Sequence, residues 1–169
     1  MCIRDSLKLM QRRAELRASA GGGAMTAIIG FDRSQLDTLM KSAEGVVIAN
    51  DNSDAQVVLS GNPEAVNALS EALTCKRAIP LAVSGAFHSP FMAQAADSFS
   101  SHLDSVAFED ARFPVFSNTD PTPCRDAKEL KQRLRRQMTT GVRWRETMAG
   151  MASSLSLIHI SEPTRPYWI

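Results

Sequence analysis

Cysteine is scarce in this chain, and no two cysteines are spaced as a pair. Cys2, Cys75 and Cys124 are far apart, and no C-x-x-C pair occurs in the sequence. Three widely separated cysteines argue against a disulfide framework, and the missing C-x-x-C pair argues against a zinc site or a redox dithiol. We therefore expect reduced thiols and no metal.

The sequence also lacks long apolar runs and an excess of charge of either sign. Lysine and arginine number 19 and aspartate and glutamate 18, for a formal net charge of +1, so no overall field attracts nucleic acid or an anionic membrane. No apolar run is as long as a membrane span, and the first residues lack the order of a signal peptide. These absences predict a cytoplasmic protein whose partners are selected by local chemistry.

Both ends of the chain lack the periodic pattern of its middle. MCIRDS at the start and LSLIHISEPTRPY near the end resemble translated sequencing-library adapter. Disordered tails are the alternative interpretation. We expect residues 1–6 and 155–169 to be artefactual or disordered tails, and a biological segment of roughly 7–154 that is cut from a longer frame at both ends.

The middle of the chain alternates between strand-like and helix-like patterns. The strand-like runs are TAIIGF (26–31), GVVIAN (45–50), AQVVLSG (55–61) and AIPLAVS (78–84). Asp32 is placed to cap one helix, and Asn62 followed by Pro63 is placed to begin a second. The order βαββαβ predicts an α/β fold with a ferredoxin-like lobe over residues 24–84, in which two helices cover one face of an antiparallel sheet.

A histidine follows the last of these strands, in the stretch SGAFHSPF (84–91). Ser89 and Pro90 are a favourable helix start, so His88 is expected directly before a helix N-terminus. The partial positive charge there disfavours imidazolium, which predicts a neutral ring that can act as a base. A histidine that only packs at a corner between strand and helix is the alternative.

Five blocks of sequence carry a resemblance to a known family. They are GGGAMTAIIG, VVIANDNSDAQVVLSG, LAVSGAFHSPFM, FPVFSN and RQMTTGVRWRETM. In this order they resemble the malonyl-CoA:acyl-carrier-protein transacylases and, more loosely, polyketide-synthase acyltransferase domains, over about residues 12–151. The resemblance implies an α/β-hydrolase-like acyltransferase core that holds the ferredoxin-like lobe as an insertion. Residues 7–23 would then end the first core segment as a helix, and residues 85–154 would be its returning part.

The resemblance also implies a reaction in fatty-acid biosynthesis. In this family a serine in a G-H-S-x-G elbow attacks malonyl-CoA, a histidine takes its proton, and the malonyl group waits as a serine ester. The phosphopantetheine thiol of acyl carrier protein then removes it. Malonyl-CoA and acyl carrier protein are thus the implied substrate and partner, with no bound cofactor, no nucleic acid, no membrane, and a monomer at full length. No G-x-S-x-G occurs in this chain, so we expect the chain alone to be inactive.

Four site residues follow from the same resemblance. His88 matches the family histidine, and the main-chain carbonyl of Gln137, in RQM, would orient its ring, unless Gln137 is a solvent-facing helix residue. Phe87 matches an aromatic position that accompanies malonyl use in polyketide relatives, with core packing as the alternative. Asn118 matches a neighbour of the site in residue type only, and a turn is its favoured interpretation.

A free carboxylate distinguishes malonyl from acetyl, and arginine offers it two parallel donors. The family carries this arginine in a pattern resembling R-G-x-x-M shortly before the first strand. Arg13 aligns best with it, although Ala14 replaces the glycine and Arg17 the methionine. Arg12 therefore stays open as the alternative, and an ordinary helix charge is the third interpretation.

A predicted helix over about 126–138 carries a cluster of basic residues. Its members are Lys128, Lys131, Arg133, Arg135 and Arg136. The cluster could dock an acidic carrier protein, but a solvated helix face is favoured, because Leu130, Leu134 and Met138 would face inward. A second function class also stands beside the transferase: a noncatalytic ferredoxin-like binding module, which lacks a nucleophile too.

Overall fold

Helices and strands alternate along residues 3–83 and 85–154, which this computed structural model describes. In chain order they are α1 (Ile3–Ser19), β1 (Ala24–Phe31), α2 (Arg33–Ser42), β2 (Val46–Ser53), β3 (Gln56–Gly61), α3 (Pro63–Ala72), β4 (Cys75–Pro80), a 3₁₀ turn (Pro90–Met92), α4 (Ala93–Asp104), β5 (Val115–Ser117), β6 (Asp120–Cys124), α5 (Ala127–Arg136) and α6 (Trp144–Ser154). The predicted α/β class is confirmed.

Four of the strands form one antiparallel sheet in the order β2-β3-β1-β4. β1 lies inside the sheet, where Ile28 is opposite Val57 on one side and Ala78 on the other. Helices α2 and α3 pack on one face through Leu36 and Val66, which are fully buried with Ile28 and Val57. The opposite face of the sheet is turned toward the histidine segment.

Both of these helices begin at the residues that the sequence predicts. The side chain of Asp32 accepts a hydrogen bond from the main-chain N–H of Gln35 at 2.8 Å, and that of Asn62 accepts one from Glu64 at 2.8 Å. Pro63 is the first residue of α3, where its missing N–H costs nothing. The two predicted N-caps are therefore confirmed.

The boundary of β4 differs from the prediction. The strand was expected over 78–84, but it spans Cys75–Pro80, with Cys75 opposite Phe31 and Pro80 opposite Thr26. β4 lies at an edge of the sheet and is held there by main-chain pairing with β1. Its exposed side can therefore carry polar residues, and a search for apolar runs does not include such residues in a strand. Leu81 and Val83 leave the strand and are exposed, and Ser84 lies outside the described residues.

Helices α1, α4 and α5 form a second layer. Buried residues of α1, the 3₁₀ turn and α4 pack together with Met138, which follows α5; they are Leu9, Met92, Ala95, Phe99 and Leu103. Strands β5 and β6 form a separate antiparallel pair. This layer holds the segment that carries the histidine against the sheet.

Two close main-chain approaches join the layers. Gly85 bridges Gly22, and a Cβ at Gly85 would lie 2.5 Å from the carbonyl oxygen of Ala20, so only glycine fits there. Val142 pairs with the free edge of β2, where its N–H donates to Ala49 at 2.7 Å and its carbonyl accepts from Asp51 at 2.8 Å. The chain is thereby anchored on one side of the candidate site to the segment before β1, and on the other side to β2.

The ends and the cysteines have mixed outcomes. α1 begins at Ile3, so residues 3–6 of the expected N-terminal tail are helical and not disordered. The other tail residues, 1–2 and 155–169, and Cys2 with them, lie outside the described residues. Cys75 and Cys124 are free thiols, as expected. In the ranges that the structure describes, no helix is both long and apolar enough to cross a membrane.

Candidate active site

His88 lies in the turn that connects the end of the sheet to the second layer. It has a φ of +58° and is the one non-glycine residue with a positive φ in the described ranges. Its Nδ1 lies 2.9 Å from the main-chain oxygen of Gln137. The next residue, Ser89, is buried and caps the 3₁₀ turn by accepting from the N–H of Phe91 at 3.3 Å. The uncommon backbone conformation is held by these contacts and aims the ring at Gln137.

The electrostatic surroundings lower the pKa of His88. Burial is the largest cause, and the charges of Arg17 and Arg13 lower the pKa further, while hydrogen bonds to the main chain of Gln137 and Thr140 oppose the change. The neutral ring that the sequence predicts is favoured, but the expected cause was a helix terminus. α4 begins only at Ala93, after the 3₁₀ turn, so burial and the two arginines replace that explanation.

Gln137 connects two parts of the site. It is the C-cap residue of α5 and is half-buried, so the alternative of a solvent-facing helix residue is wrong. Its main-chain oxygen faces His88, and its side-chain Oε1 accepts a hydrogen bond from Nη1 of Arg13 at 2.8 Å. One residue thus touches both the histidine and an arginine from the other end of the chain.

The structure separates the two candidate arginines. Arg12 pairs with Glu15 at 3.1 Å, and the side chain of Arg12 is 41% exposed. Arg13 points toward Gln137, and burial lowers the pKa of its guanidinium. Arg17 lies one turn further along, with its guanidinium carbon 4.2 Å from the ring centre of Phe87. Arg13 is therefore the one of the two open candidates that lies at the site.

Phe87 and Asn118 have the contacts expected of a packing residue and of a turn residue, respectively. Phe87 is half-buried and packs against both the second layer and the open face of the sheet, which includes Met25 and Val58. Asn118 lies in the two-residue turn between β5 and β6, where its main-chain oxygen accepts from the N–H of Arg143 at 2.8 Å. The turn interpretation of Asn118 is confirmed, and a role of either residue toward substrate stays a prediction.

An open cleft brings residues together that the sequence analysis did not select. His88 and Asn118 line it with Asn50, Asn52 and Gln56 from β2 and β3 and with Trp144 at the start of α6. The polar residues inside the strand run VVIANDNSDAQ could have indicated this cleft, because asparagine is uncommon inside strands. The sequence did not predict that Arg17 lies beside Arg13 at this site, because Arg17 was considered only as a departure from the family pattern.

The basic cluster on α5 is mostly engaged within the molecule. Arg133 is buried and pairs with Glu129 at 3.0 Å and Asp120 at 3.3 Å, Arg135 pairs with Asp104, and Nζ of Lys131 donates to the carbonyl of Val106 at 3.0 Å. The prediction of a solvated face is wrong for Arg133. Among the described residues, no group of His, Cys, Asp and Glu is arranged to hold a metal ion.

Comparison with known proteins decides the family. The sequence model of the acyl transferase domain matches residues 2–165. This chain belongs to the acyl transferase domain family. It is 48% identical over 145 residues to the malonyl CoA-acyl carrier protein transacylase of Synechocystis. This match covers 86% of this chain and 50% of the relative. The Staphylococcus aureus transacylase is 32% identical over 154 residues, with 85% and 50% covered.

Solved structures agree with the sequence matches. The crystal structure of the Synechocystis malonyl-CoA:ACP transacylase matches with a TM-score of 0.89 at 45% identity, over 92% of this chain and 53% of that one. A malonyl-transacylase in complex with a type II polyketide acyl-carrier protein has a TM-score of 0.82 at 35% identity, over 88% and 51%. This chain therefore spans about half the length of the curated relatives that it matches.

Proposed function

We propose that this acyl transferase chain supplies the histidine-bearing part of a malonyl-CoA:acyl-carrier-protein transacylase of fatty-acid biosynthesis. The names of the relatives support the reaction class. The observation that carries the proposal is the 2.9 Å contact between Nδ1 of His88 and the main-chain oxygen of Gln137. This contact gives the histidine a fixed orientation, which a general base needs and a packing residue does not.

The contact also determines which ring nitrogen acts. A carbonyl oxygen only accepts hydrogen bonds, so Nδ1 carries the proton of the neutral ring and Nε2 keeps its lone pair. Nε2 would take the proton of the attacking serine and return it to the departing CoA thiolate. It would then take the proton of the phosphopantetheine thiol and return it to serine when the ester is resolved. No G-x-S-x-G occurs in this chain, so in this proposal the serine would come from the part of the protein that this chain does not match.

Arg13 is the proposed partner of the malonyl carboxylate. Its bond to the neutral amide of Gln137 fixes the guanidinium without neutralising its charge. A guanidinium carries five N–H donors, so others remain for a two-point contact with a carboxylate. In this proposal Phe87 limits the space beside the acyl group, and Asn118 lines the cleft through which the thioester reaches His88.

The fold has a matching interpretation. We propose that β1 to β4 with α2 and α3 are the family's ferredoxin-like lobe, and that α1 and residues 85–154 belong to the acyltransferase core. The strand-helix-strand-strand-helix-strand order and the sheet order β2-β3-β1-β4 support this division. A function in polyketide synthesis is a second candidate, because one structural relative was solved in complex with a polyketide acyl-carrier protein.

A chimeric enzyme tests the proposal. The matched residues of this chain would replace the corresponding part of the Synechocystis transacylase, and transfer of malonyl from CoA to acyl carrier protein would be measured. We expect transfer by the chimera and a loss of about 10²–10⁴-fold in His88→Ala, the usual contribution of general acid–base catalysis. His102→Ala is the matched control, because His102 also contacts a main-chain carbonyl but lies exposed on α4. Transfer by His88→Ala within tenfold of the parent chimera would contradict the proposed role.

A further inference from the structure

Two arginines of α1 lie side by side next to the histidine. Arg13 and Arg17 are one helical turn apart, both are half-buried, and both border the same narrow gap as His88, which is too small to hold a water molecule. Met92, Gln137 and Met138 border the same gap. The shared location of the two arginines places two positive charges next to His88.

Neither guanidinium has a carboxylate partner within residues 3–83 and 85–154. Arg13 donates to the amide of Gln137, and Arg17 lies over the ring of Phe87. Every other arginine in these ranges whose described side chain is at least partly buried forms a salt bridge with a carboxylate; they are Arg12, Arg33, Arg133, Arg135 and Arg145. Elsewhere in the described ranges the partly buried arginines are paired with carboxylates, and these two are not.

This arrangement is costly unless an anion joins it. Burial lowers the pKa of Arg17, and the charge of Arg13 lowers it further. Two like charges one turn apart destabilise a helix, and partial burial removes the water that would screen them. A bound anion would remove both costs, because a carboxylate has two oxygens and each arginine can donate to it.

We propose that Arg13 and Arg17 together form one carboxylate site beside His88, in which Arg17 is a second recognition residue for the free carboxylate of a dicarboxylic acyl substrate. The inference rests on the proposed function, which places the acyl group at His88. In malonyl a single methylene separates the carboxylate from the thioester carbonyl, so a carboxylate site must adjoin the base. Arg17 stands where the family pattern has methionine, so this second arginine is a property of the chain and not of the pattern.

Direct binding measurements on this chain test the inference. Malonate, acetate and inorganic phosphate would be titrated at constant ionic strength while the ring signals of His88 are followed by NMR. We expect malonate to bind most tightly and Arg17→Met to weaken malonate about tenfold or more, because a charge-assisted hydrogen bond is lost while packing over Phe87 is kept. Arg17→Lys should regain part of the affinity. Arg12→Met is the matched control and should bind malonate as the parent chain does.

Three results would overturn the inference: no binding of malonate, unchanged malonate affinity in Arg17→Met, or tighter binding of phosphate than of malonate. The spectrum of each variant shows whether it remains folded, and Arg17→Lys covers a failure of Arg17→Met to fold. A failure of the inferred carboxylate site can be distinguished from a failure of the proposed function. Transfer that depends on His88 with no effect of Arg17→Met would refute only this site, and binding that depends on Arg17 with unaffected transfer in His88→Ala would refute only the base.

Discussion

At the scale of single residues, the candidate site depends on one glutamine. Gln137 uses its main-chain oxygen for His88 and its side chain for Arg13. The identity of His88 and Arg13 as candidates could be predicted from motifs, because each lies in a short block with a recognisable pattern. Their connection could not, since Arg13 and Gln137 are 124 residues apart and only the fold brings them together.

The lowered pKa of His88 predicts a pH dependence of stability. The folded protein binds this proton less readily than the unfolded chain, whose histidine titrates near 6.5. The contribution of His88 to stability is therefore complete above about pH 6.5 and decreases as the pH falls through that value toward the lowered pKa of the folded state. Urea unfolding of the parent chain and of His88→Ala between about pH 7.5 and pH 5 would measure it.

The His88→Ala chain should show a smaller decrease in its free energy of unfolding over this range than the parent chain. The difference between the two curves isolates His88, because the other groups are common to both chains. Parallel curves would show that His88 has the same proton affinity in the folded and unfolded states.

At the scale of elements, the helix starts could be predicted and the sheet edge could not. Capping by Asp32 and Asn62 is a local rule, so the sequence contains all the information needed. The extent of β4 depends on pairing with β1, which offers its main-chain groups to Cys75 and Arg77 whatever their polarity. Ser89 shows an intermediate case, because it caps as expected but begins a 3₁₀ turn before the α-helix.

The cap at Asn62 gives a prediction at this scale. Asn62→Ala should lower the free energy of unfolding by about 1 kcal/mol, because the N–H of Glu64 loses its acceptor. Asn67→Ala is the control, since Asn67 is exposed inside the same helix and its replacement should change stability by less than about 0.5 kcal/mol. Chemical denaturation of both variants measures the two values. Equal effects would mean that the cap does not contribute.

At the scale of the whole molecule, apolar residues are distributed unevenly. If residues 85–154 belong to a larger core, the sequence predicts that seven apolar residues pack against elements outside this chain: Phe91, Met92, Phe99, Phe113, Val115, Phe116 and Trp144. That expectation is wrong for Met92 and Phe99, which are 2% and 1% exposed, because α1 covers them. Phe91, Phe113, Val115 and Trp144 do remain exposed, at 50%, 76%, 40% and 45%. If the proposed division is right, these side chains would face the part of the acyltransferase core that this chain does not match.

Hydrogen exchange should therefore be uneven along the chain. We expect slower exchange in β1 to β4, where a complete sheet is covered by α2 and α3, than in residues 85–154. The chain should also associate with itself through the exposed residues, which size-exclusion chromatography at increasing concentration would detect. Equal protection of both parts in a monomer would contradict the division into a complete lobe and a part of a larger core.

The central claim is that His88 is held as a neutral base with its proton on Nδ1 and its lone pair on Nε2. The nitrogen chemical shifts of the ring in the ¹⁵N-labelled chain report this state directly, and His88→Ala identifies the signals. At neutral pH the account predicts a neutral ring with the proton on Nδ1, hydrogen-bonded to Gln137. A ring that is protonated on both nitrogens, or one that carries its proton on Nε2, would contradict the account.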